Sequence, residues 1–399
     1  MAAKSNVRKG LIRHKFVYHF LRYLIGWIVI RIRNFSYEYR KIEGKPVLIL
    51  SNHNSDFDPL LMVISMKKHF KFVASANIMS GPVGKIIKFL AGPIPRSKGA
   101  SADETVQLII ENLNAGIDVA MFPEGNKSWD GATCFISKRT AEIFRQCKCG
   151  LVTYRFDGGY LRSPRWARNP RKGKLFGRIV NEYSYEQLKD MSTDEIYEII
   201  VRDLDANAYA YQDKHHIPYI GENLAEGIEN LLYLCPVCQR FDTLHAKGNE
   251  IVCDCGVKAI YDEYGYLRGD QIKEWDNTIK WNSFQKNWLI GHKNDLKKQI
   301  DEAFSHDEDL HLYKIIDNER TLIKDDVKAQ LYGDRIVLTS GDDFALTFYW
   351  KEISKLGMFR NNSLYLTYHD ERYELHKLSG FSLLKYFSLW RVLTDKELY

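Results

Sequence analysis

The chain has 399 residues, 45% hydrophobic and 27% charged, a composition that excludes collagen, disordered chains and multispan membrane proteins. Its length predicts two or three domains. The net charge of +6 is unevenly spread: residues 1–46 hold eleven Lys and Arg against Glu38 and Glu43, so the leader stands at +9 and the remainder at −3. A basic leader on a slightly acidic body points to an anionic membrane surface or to nucleic acid.

Phe16 to Ile30 is apolar and aromatic, but it contains His19 and Arg22 and is bounded by Lys15 and Arg31. It is short of the roughly 20 residues that span a bilayer. No small-residue cleavage site follows, which argues against a secretory signal. The pattern predicts a helix lying in the membrane interface, with Tyr18, Tyr23 and Trp27 at headgroup level and Lys/Arg facing anionic lipid. The competing reading is a helix packed on the body's own core.

Pro46 to Ser51 is a continuous apolar run, the mark of a strand buried on both faces. Similar runs recur at Lys71 to Ala74, Ile117 to Phe122 and Leu151 to Phe156. Helices are expected between them, one opened by a capping box at Ser101 to Glu104 and closed by Gly116, another over Ser137 to Cys147. The alternation predicts an α/β domain with a mostly parallel sheet and flanking helices, ending near residue 230.

Beyond it, residues 231–262 carry a cysteine module, and Gln271 to Phe304 reads as helical, its tryptophans serving packing. From Leu310 the period changes to two, with strands expected at 327–332, 335–339, 344–348, 363–368 and 372–376, then a helix over Gly380 to Leu393. Antiparallel strands closed by a helix resemble the pleckstrin-homology and GRAM barrels. The expected organisation is therefore 1–34 basic interface helix, 35–230 α/β domain, 231–262 zinc ribbon, 263–306 helical linker and 307–399 antiparallel β-barrel-like domain.

His53 and Asp58 follow the first buried strand. Five residues apart on one helix they would diverge, so a loop leading into a helix start is required. Asp58-Pro59 suits N-cap and N1 of a helix beginning around Leu60, from where the carboxylate reaches one imidazole nitrogen and leaves the other as a general base. Downstream stand Gly92 to Arg96 and Phe122-Pro-Glu-Gly125, the latter leaving a buried strand at its C-terminal end.

These blocks, with Asn52 to Asp58 and the strand at Leu151 to Tyr154, resemble the lysophospholipid acyltransferase family that includes the 1-acylglycerol-3-phosphate acyltransferases. The resemblance covers about residues 40–160. It implies fatty-acyl transfer from acyl-CoA or acyl carrier protein to a lysophospholipid hydroxyl, most simply 1-acyl-glycerol-3-phosphate, without a catalytic metal. It makes His53 the base and Asp58 its orienter, with Asn52, Arg96, Glu124, Gly125 and Lys127 at the acceptor site and Arg96 on the phosphate. Lys127 stands where the family often has arginine, so one bidentate fork is missing. A run of seven Lys/Arg over 160–178 suits CoA phosphates, a headgroup or the bilayer, or is simply solvated.

Cys235-x-x-Cys238 and Cys253-x-Cys255 have the spacing of a structural Zn²⁺ site, with His245 the nearest substitute ligand. Cys134, Cys147 and Cys149 lack such a partner pair. The combined expectation is an acyltransferase on the cytoplasmic face of a membrane, peripheral or monotopic. Nucleic acid is an unfavoured partner, because the positive charge sits on an apolar helix. The alternative is a lipid- or nucleic-acid-binding zinc-ribbon adaptor with a degenerate acyltransferase domain.

Overall fold

The computed structural model describes residues 8, 10–75, 79, 81–96, 102–316 and 319–398. Ser101 of the expected capping box lies outside these residues, as do Lys4 and Lys9 of the basic leader. The chain divides into two compact units, Met1–Pro164 with Lys172–Tyr219, and Arg165–Arg171 with Ile220–Tyr399. The division at Tyr219 falls before the expected boundary near residue 230, and the ribbon, helical segment and C-terminal strands share one unit.

The first unit begins with α1 (Leu11–Phe20), a π turn (Leu21–Ile25) and α2 (Gly26–Arg33). There follow β1 (Phe35–Tyr37), β2 (Val47–Ser51), α3 (Asp58–Ser65), β3 (Lys71–Ser75), α4 (Gly81–Ala91) and β4 (Ile94–Arg96). Then come α5 (Ala102–Asn114), β5 (Val119–Met121), α6 (Arg139–Gln146), β6 (Gly150–Asp157), α7 (Gly159–Arg162) and β7 (Leu175–Tyr183). Three helices close the unit, α8 (Tyr185–Leu188), α9 (Thr193–Leu204) and α10 (Ala208–His215).

The seven strands form one mixed sheet in the order β1-β7-β6-β2-β5-β3-β4. From β6 to β4 neighbouring strands are parallel; β7 runs antiparallel to β6, and β1 parallel to β7. The period of two sends Leu48, Leu50 and Leu151 into one core, with α5, α6 and α9, and Val47, Ile49, Val152 and Tyr154 into the other, with α3 and Tyr18. Every side chain of β2 is buried, as the apolar run requires. Its C-terminal end therefore opens directly onto the loop that carries His53.

The leader helix is inverted relative to an ordinary surface helix. Residues His14, Tyr18, Arg22 and Gly26, four apart, face the body, while Ile12, Phe16, Phe20, Tyr23, Leu24, Trp27, Ile28 and Ile32 are exposed. The Tyr18 hydroxyl donates to the Met66 carbonyl at 2.7 Å, and the Arg22 guanidinium donates to the same oxygen. Tyr18 and Arg22 thus do not face lipid as expected: the C-terminal carbonyl of α3 needs donors, and these two supply them. His14 fits only because Gly92, at φ +55°, lacks a side chain; a Cβ there would lie 2.2 Å from the imidazole. On α4, Ile86, Phe89 and Leu90 are also exposed, and the Arg13 guanidinium lies 3.6 Å over the Phe89 ring. No helix of the described residues is long and apolar enough to cross a membrane.

Of the seven cations over 160–178, Arg162, Arg165 and Arg171 are internal structure, while Arg168, Lys172 and Lys174 are exposed. Arg162 is buried and donates to the carbonyls of Arg33, Gly173 and Ile32, capping the end of α2. Arg165 and Arg171 are buried in the second unit, where Arg165 donates to Arg360 O at 2.7 Å and Arg171 to the Tyr261 hydroxyl at 3.2 Å. Arg168 pairs with Glu229 at 2.7 Å. A guanidinium has five donors, and here they serve carbonyls that secondary structure leaves unpaired.

The second unit opens with a four-stranded sheet, order β11-β10-β9-β8, built from β8 (Leu244–Lys247), β9 (Glu250–Cys253), β10 (Lys258–Tyr261) and β11 (Leu267–Arg268). Helices α11 (Thr278–Gly291) and α12 (Lys293–Lys298) follow, with Trp281 fully buried. A seven-stranded antiparallel sheet comes next, order β15-β14-β13-β12-β18-β17-β16. Its strands are β12 (Ser305–Ile316), β13 (Glu319–Leu331), β14 (Arg335–Ser340), β15 (Phe344–Tyr349), β16 (Ile353–Phe359), β17 (Ser363–Tyr368) and β18 (Glu371–His376). Helix α13 (Leu383–Leu393) packs beside β16, its Trp390 donating to Ile353 O at 3.2 Å.

Candidate active site

The site is built at the C-terminal end of β2. The loop Asn52–Phe57 leads into α3, and the Asp58 carboxylate turns back over it. Oδ2 accepts from the backbone N–H groups of Asn54 (2.7 Å) and Ser55 (2.8 Å) and lies 2.9 Å from His53 Nδ1, while Oδ1 accepts from Ser55 Oγ at 2.6 Å. The helix begins at Asp58 itself, with Phe57 at N-cap and no side-chain capping bond. Asp58 and Pro59 are therefore its first two residues rather than N-cap and N1. The carboxylate has left the capping role because the preceding loop offers it three donors and an imidazole.

Nδ1 is fixed by Asp58, so the ring presents Nε2, which has no hydrogen-bond partner among the described residues. The His53 side chain is 20% exposed against 2% for Asp58. The ring stacks on Phe122, centroids 4.3 Å apart and planes 16° from parallel, and Phe122 stacks in turn near Phe72. Such a ring cannot rotate freely. It is an oriented base with one open nitrogen.

The main chain of His53 is held from both sides by the Phe122 to Ser128 segment. Its N–H donates to Glu124 Oε1 at 2.8 Å, and its carbonyl accepts from Ser128 N at 3.0 Å. The other Glu124 oxygen accepts from Cys134 N at 2.6 Å. Burial pushes the Glu124 carboxyl up to about 8, against the pull of those two N–H groups. Glu124 is buried beneath the loop, and it holds the backbone of His53 and Cys134.

Asn52 is likewise internal. Its Nδ2 donates to Phe156 O at 2.9 Å and its Oδ1 accepts from Phe156 N at 2.8 Å, extending the pairing of β2 and β6 by one side-chain rung. Both ends of the amide are committed there, so the expected substrate contact gives way to a positioning one.

Gly125 adopts φ +67°, and a Cβ there would lie 2.5 Å from the Arg96 guanidinium. The missing side chain lets Arg96 lie against the backbone one residue from Glu124, bringing a cation into the neighbourhood of His53. Lys127 pairs with Asp56 at 3.0 Å. Sequence reasoning missed Ser55, Ser128 and the N–H of Cys134. Ser55 stands inside a motif block and Ser128 three residues beyond one, whereas nothing local marks Cys134.

The four cysteines of the second unit also converge, all their sulfurs lying within 4.8 Å of one another. His245 is not among them and pairs with Asp254 at 3.0 Å.

Residues 30–157 match the family model described as Acyltransferase. These residues are thus similar to acyltransferase domains. Over 88 residues the chain is 33% identical to "1-acyl-sn-glycerol-3-phosphate acyltransferase LPAT1, chloroplastic" of Arabidopsis thaliana, covering 22% of this chain and 24% of that protein. The chain thus spans about a quarter of the curated relative's length. Among solved structures it is similar to the 1-acyl-sn-glycerophosphate (LPA) acyltransferase PlsC from Thermotoga maritima, at 20% identity and TM-score 0.37 over 48% of this chain and 78% of that one. It is also similar to the Vps36 N-terminal PH domain, at 15% identity and TM-score 0.21 over 24% of this chain and 80% of that one.

Proposed function

We propose that the acyltransferase domain moves a fatty acyl group from acyl-CoA or acyl carrier protein to the hydroxyl of a lysophospholipid, foremost 1-acyl-glycerol-3-phosphate, giving phosphatidate. The observation that carries this reading is the open Nε2 of a His53 ring fixed by Asp58. Nε2 takes the proton of the acceptor hydroxyl as its oxygen attacks the thioester carbonyl. The C–S bond then breaks and the leaving sulfur takes the proton from the imidazolium, returning the ring to its starting state. Asp58 holds the tautomer and stabilises the imidazolium. Arg96 pairs with the acceptor phosphate, and Glu124, Gly125 and Asn52 keep these groups in register.

The leader supports action at the cytoplasmic face of a membrane, as a peripheral or monotopic protein. Its polar side is spent on Met66, and its apolar side, continued by Phe89 and Leu90, faces outward. Deletion of residues 1–33 is expected to abolish flotation with anionic liposomes. The C-terminal antiparallel sheet and its helix are read as a PH/GRAM-like domain.

The test is an acceptor panel with one acyl-CoA, following CoA release. Transfer should be fastest to 1-acyl-glycerol-3-phosphate. Arg96→Ala should raise KM for phosphorylated acceptors and leave a monoacylglycerol nearly unaffected. Absence of transfer to every hydroxyl acceptor, from acyl-CoA and from acyl carrier protein, contradicts the proposal.

A further inference from the structure

Four sulfurs from two turns of the ribbon meet in the second unit. Cys238 and Cys253 sulfurs are 3.7 Å apart, and those of Cys235 and Cys255 are 3.9 Å apart. A tetrahedral ion with metal–sulfur bonds of about 2.3 Å has sulfur–sulfur edges of roughly 3.8 Å, so the donor set fits. These separations are far beyond a disulfide bond of about 2.05 Å. Backbone N–H groups of Val237 and Cys238 are directed at the Cys235 sulfur, that of Arg240 at Cys238 and that of Cys255 at Cys253.

The loop between Cys238 and Thr243 is wound tightly, with Gln239 and Asp242 both at φ +56°. Non-glycine residues hold that conformation only where their surroundings fix it. At its far end the Thr243 hydroxyl lies 3.2 Å from the Cys253 sulfur. Its neighbour Asp242 reaches away from the sulfurs into the C-terminal sheet. Asp242 Oδ1 accepts from Lys385 Nζ at 2.7 Å, and Oδ2 accepts from Ser305 Oγ at 2.5 Å and His306 N at 3.0 Å. Lys385 is wholly buried on α13; its second carboxylate is Asp307, at 2.9 Å, which also accepts from the Tyr386 hydroxyl at 2.8 Å.

We propose that Cys235, Cys238, Cys253 and Cys255 bind one structural Zn²⁺, and that this ion fixes the 238–243 loop so that Asp242 can neutralise buried Lys385, making the seating of α13 depend on metal. With the ion removed, the thiols lose their common centre and the loop its reason to stay wound. Asp242 then withdraws and Lys385, whose side chain is fully buried, is left with half its countercharge. The dependence reaches β12 as well, through Ser305 and His306.

The experiment uses the full chain purified under reducing conditions. Elemental analysis should find about one zinc per chain, and Cys235→Ser/Cys253→Ser should lose it. Chelation should raise amide hydrogen exchange over 383–393 at least about tenfold. Asp242→Asn should keep its zinc yet show the faster exchange while loaded. Absence of zinc in the wild-type protein, iron in its place, or full retention of zinc by the double variant overturns the site. Unchanged exchange over 383–393 in the chelated protein, or in Asp242→Asn, overturns the coupling.

Discussion

Each unit contains a buried carboxylate network, and the two are finished differently. In the first, Asp58 gathers two backbone N–H groups, a hydroxyl and an imidazole, and the imidazole carries the network outward to an Nε2 without a partner among the described residues. In the second, Asp242 and Asp307 close around Lys385, whose side chain has no exposure at all. A polar network with one open end can do chemistry, because the atom it orients is still available to a substrate. A closed one holds elements together, and its members should matter for stability alone.

The largest effect that sharpens this contrast is expected from Asp58→Asn. With its amide oxygen in place of Oδ2 and its NH₂ donating to the Ser55 hydroxyl, the variant keeps the loop's hydrogen bonds and loses the charge. Turnover should fall by about 10²–10⁴-fold with little change in Tm, measured on the same preparation. Lys385→Met should do the reverse. It leaves two partly buried carboxylates without their cation and should cost up to about 3–5 kcal/mol in denaturant unfolding of the second unit, with turnover per folded molecule unchanged. If Lys385→Met unfolds like wild type, the closed network is not structural.

Glu124→Gln lies between the two. Whichever way the amide is turned, its NH₂ meets the N–H of either His53 or Cys134, so one of the two hydrogen bonds that tie the His53 loop to Glu124 and Cys134 is lost. A stability loss of about 1–3 kcal/mol and a roughly tenfold fall in kcat from displacement of the ring are expected by calorimetry and steady-state assay.

The smallest effect concerns the leader. His69 packs edge-on against Tyr18, ring centres 5.5 Å apart, and burial lowers its pKa to about 4. Its folded pKa lies below the unfolded value near 6.5, so the stability it contributes is present above that value and is lost as pH falls toward 4. Between pH 7 and 5, wild type should lose roughly 4–8 °C of Tm more than His69→Gln does.

Much of this was legible in the chain. The buried run at 46–51 and the motif blocks located the first network, and the cysteine spacing the four-sulfur cluster, because strands buried on two faces and ligand pairs leave local patterns; nothing local marks Asp242, Asp307 or Lys385. What escaped depends on partners distant in sequence. Asn52 reads as a substrate contact until Phe156 claims both ends of its amide, and the run over 160–178 reads as a basic patch until its arginines meet carbonyls. Strands β12 and β16 are not among the expected strands: register shifts between Asp307 and Leu310, Leu310 and Leu312, and Leu312 and Tyr313 break the period of two in β12, and one between Ile353 and Lys355 does so in β16. Helix α9 was passed over although its capping box, Ser192 with Glu195, is written in the sequence.

The measurement closest to the centre of the account is steady-state transfer by His53→Ala, with acyl-CoA and 1-acyl-glycerol-3-phosphate on liposomes. Its base acts mainly in the transition state, so kcat should fall at least about 10²-fold while acceptor KM, liposome binding and Tm stay near wild type. Wild-type turnover by the folded, liposome-bound variant would contradict the role given to the open nitrogen.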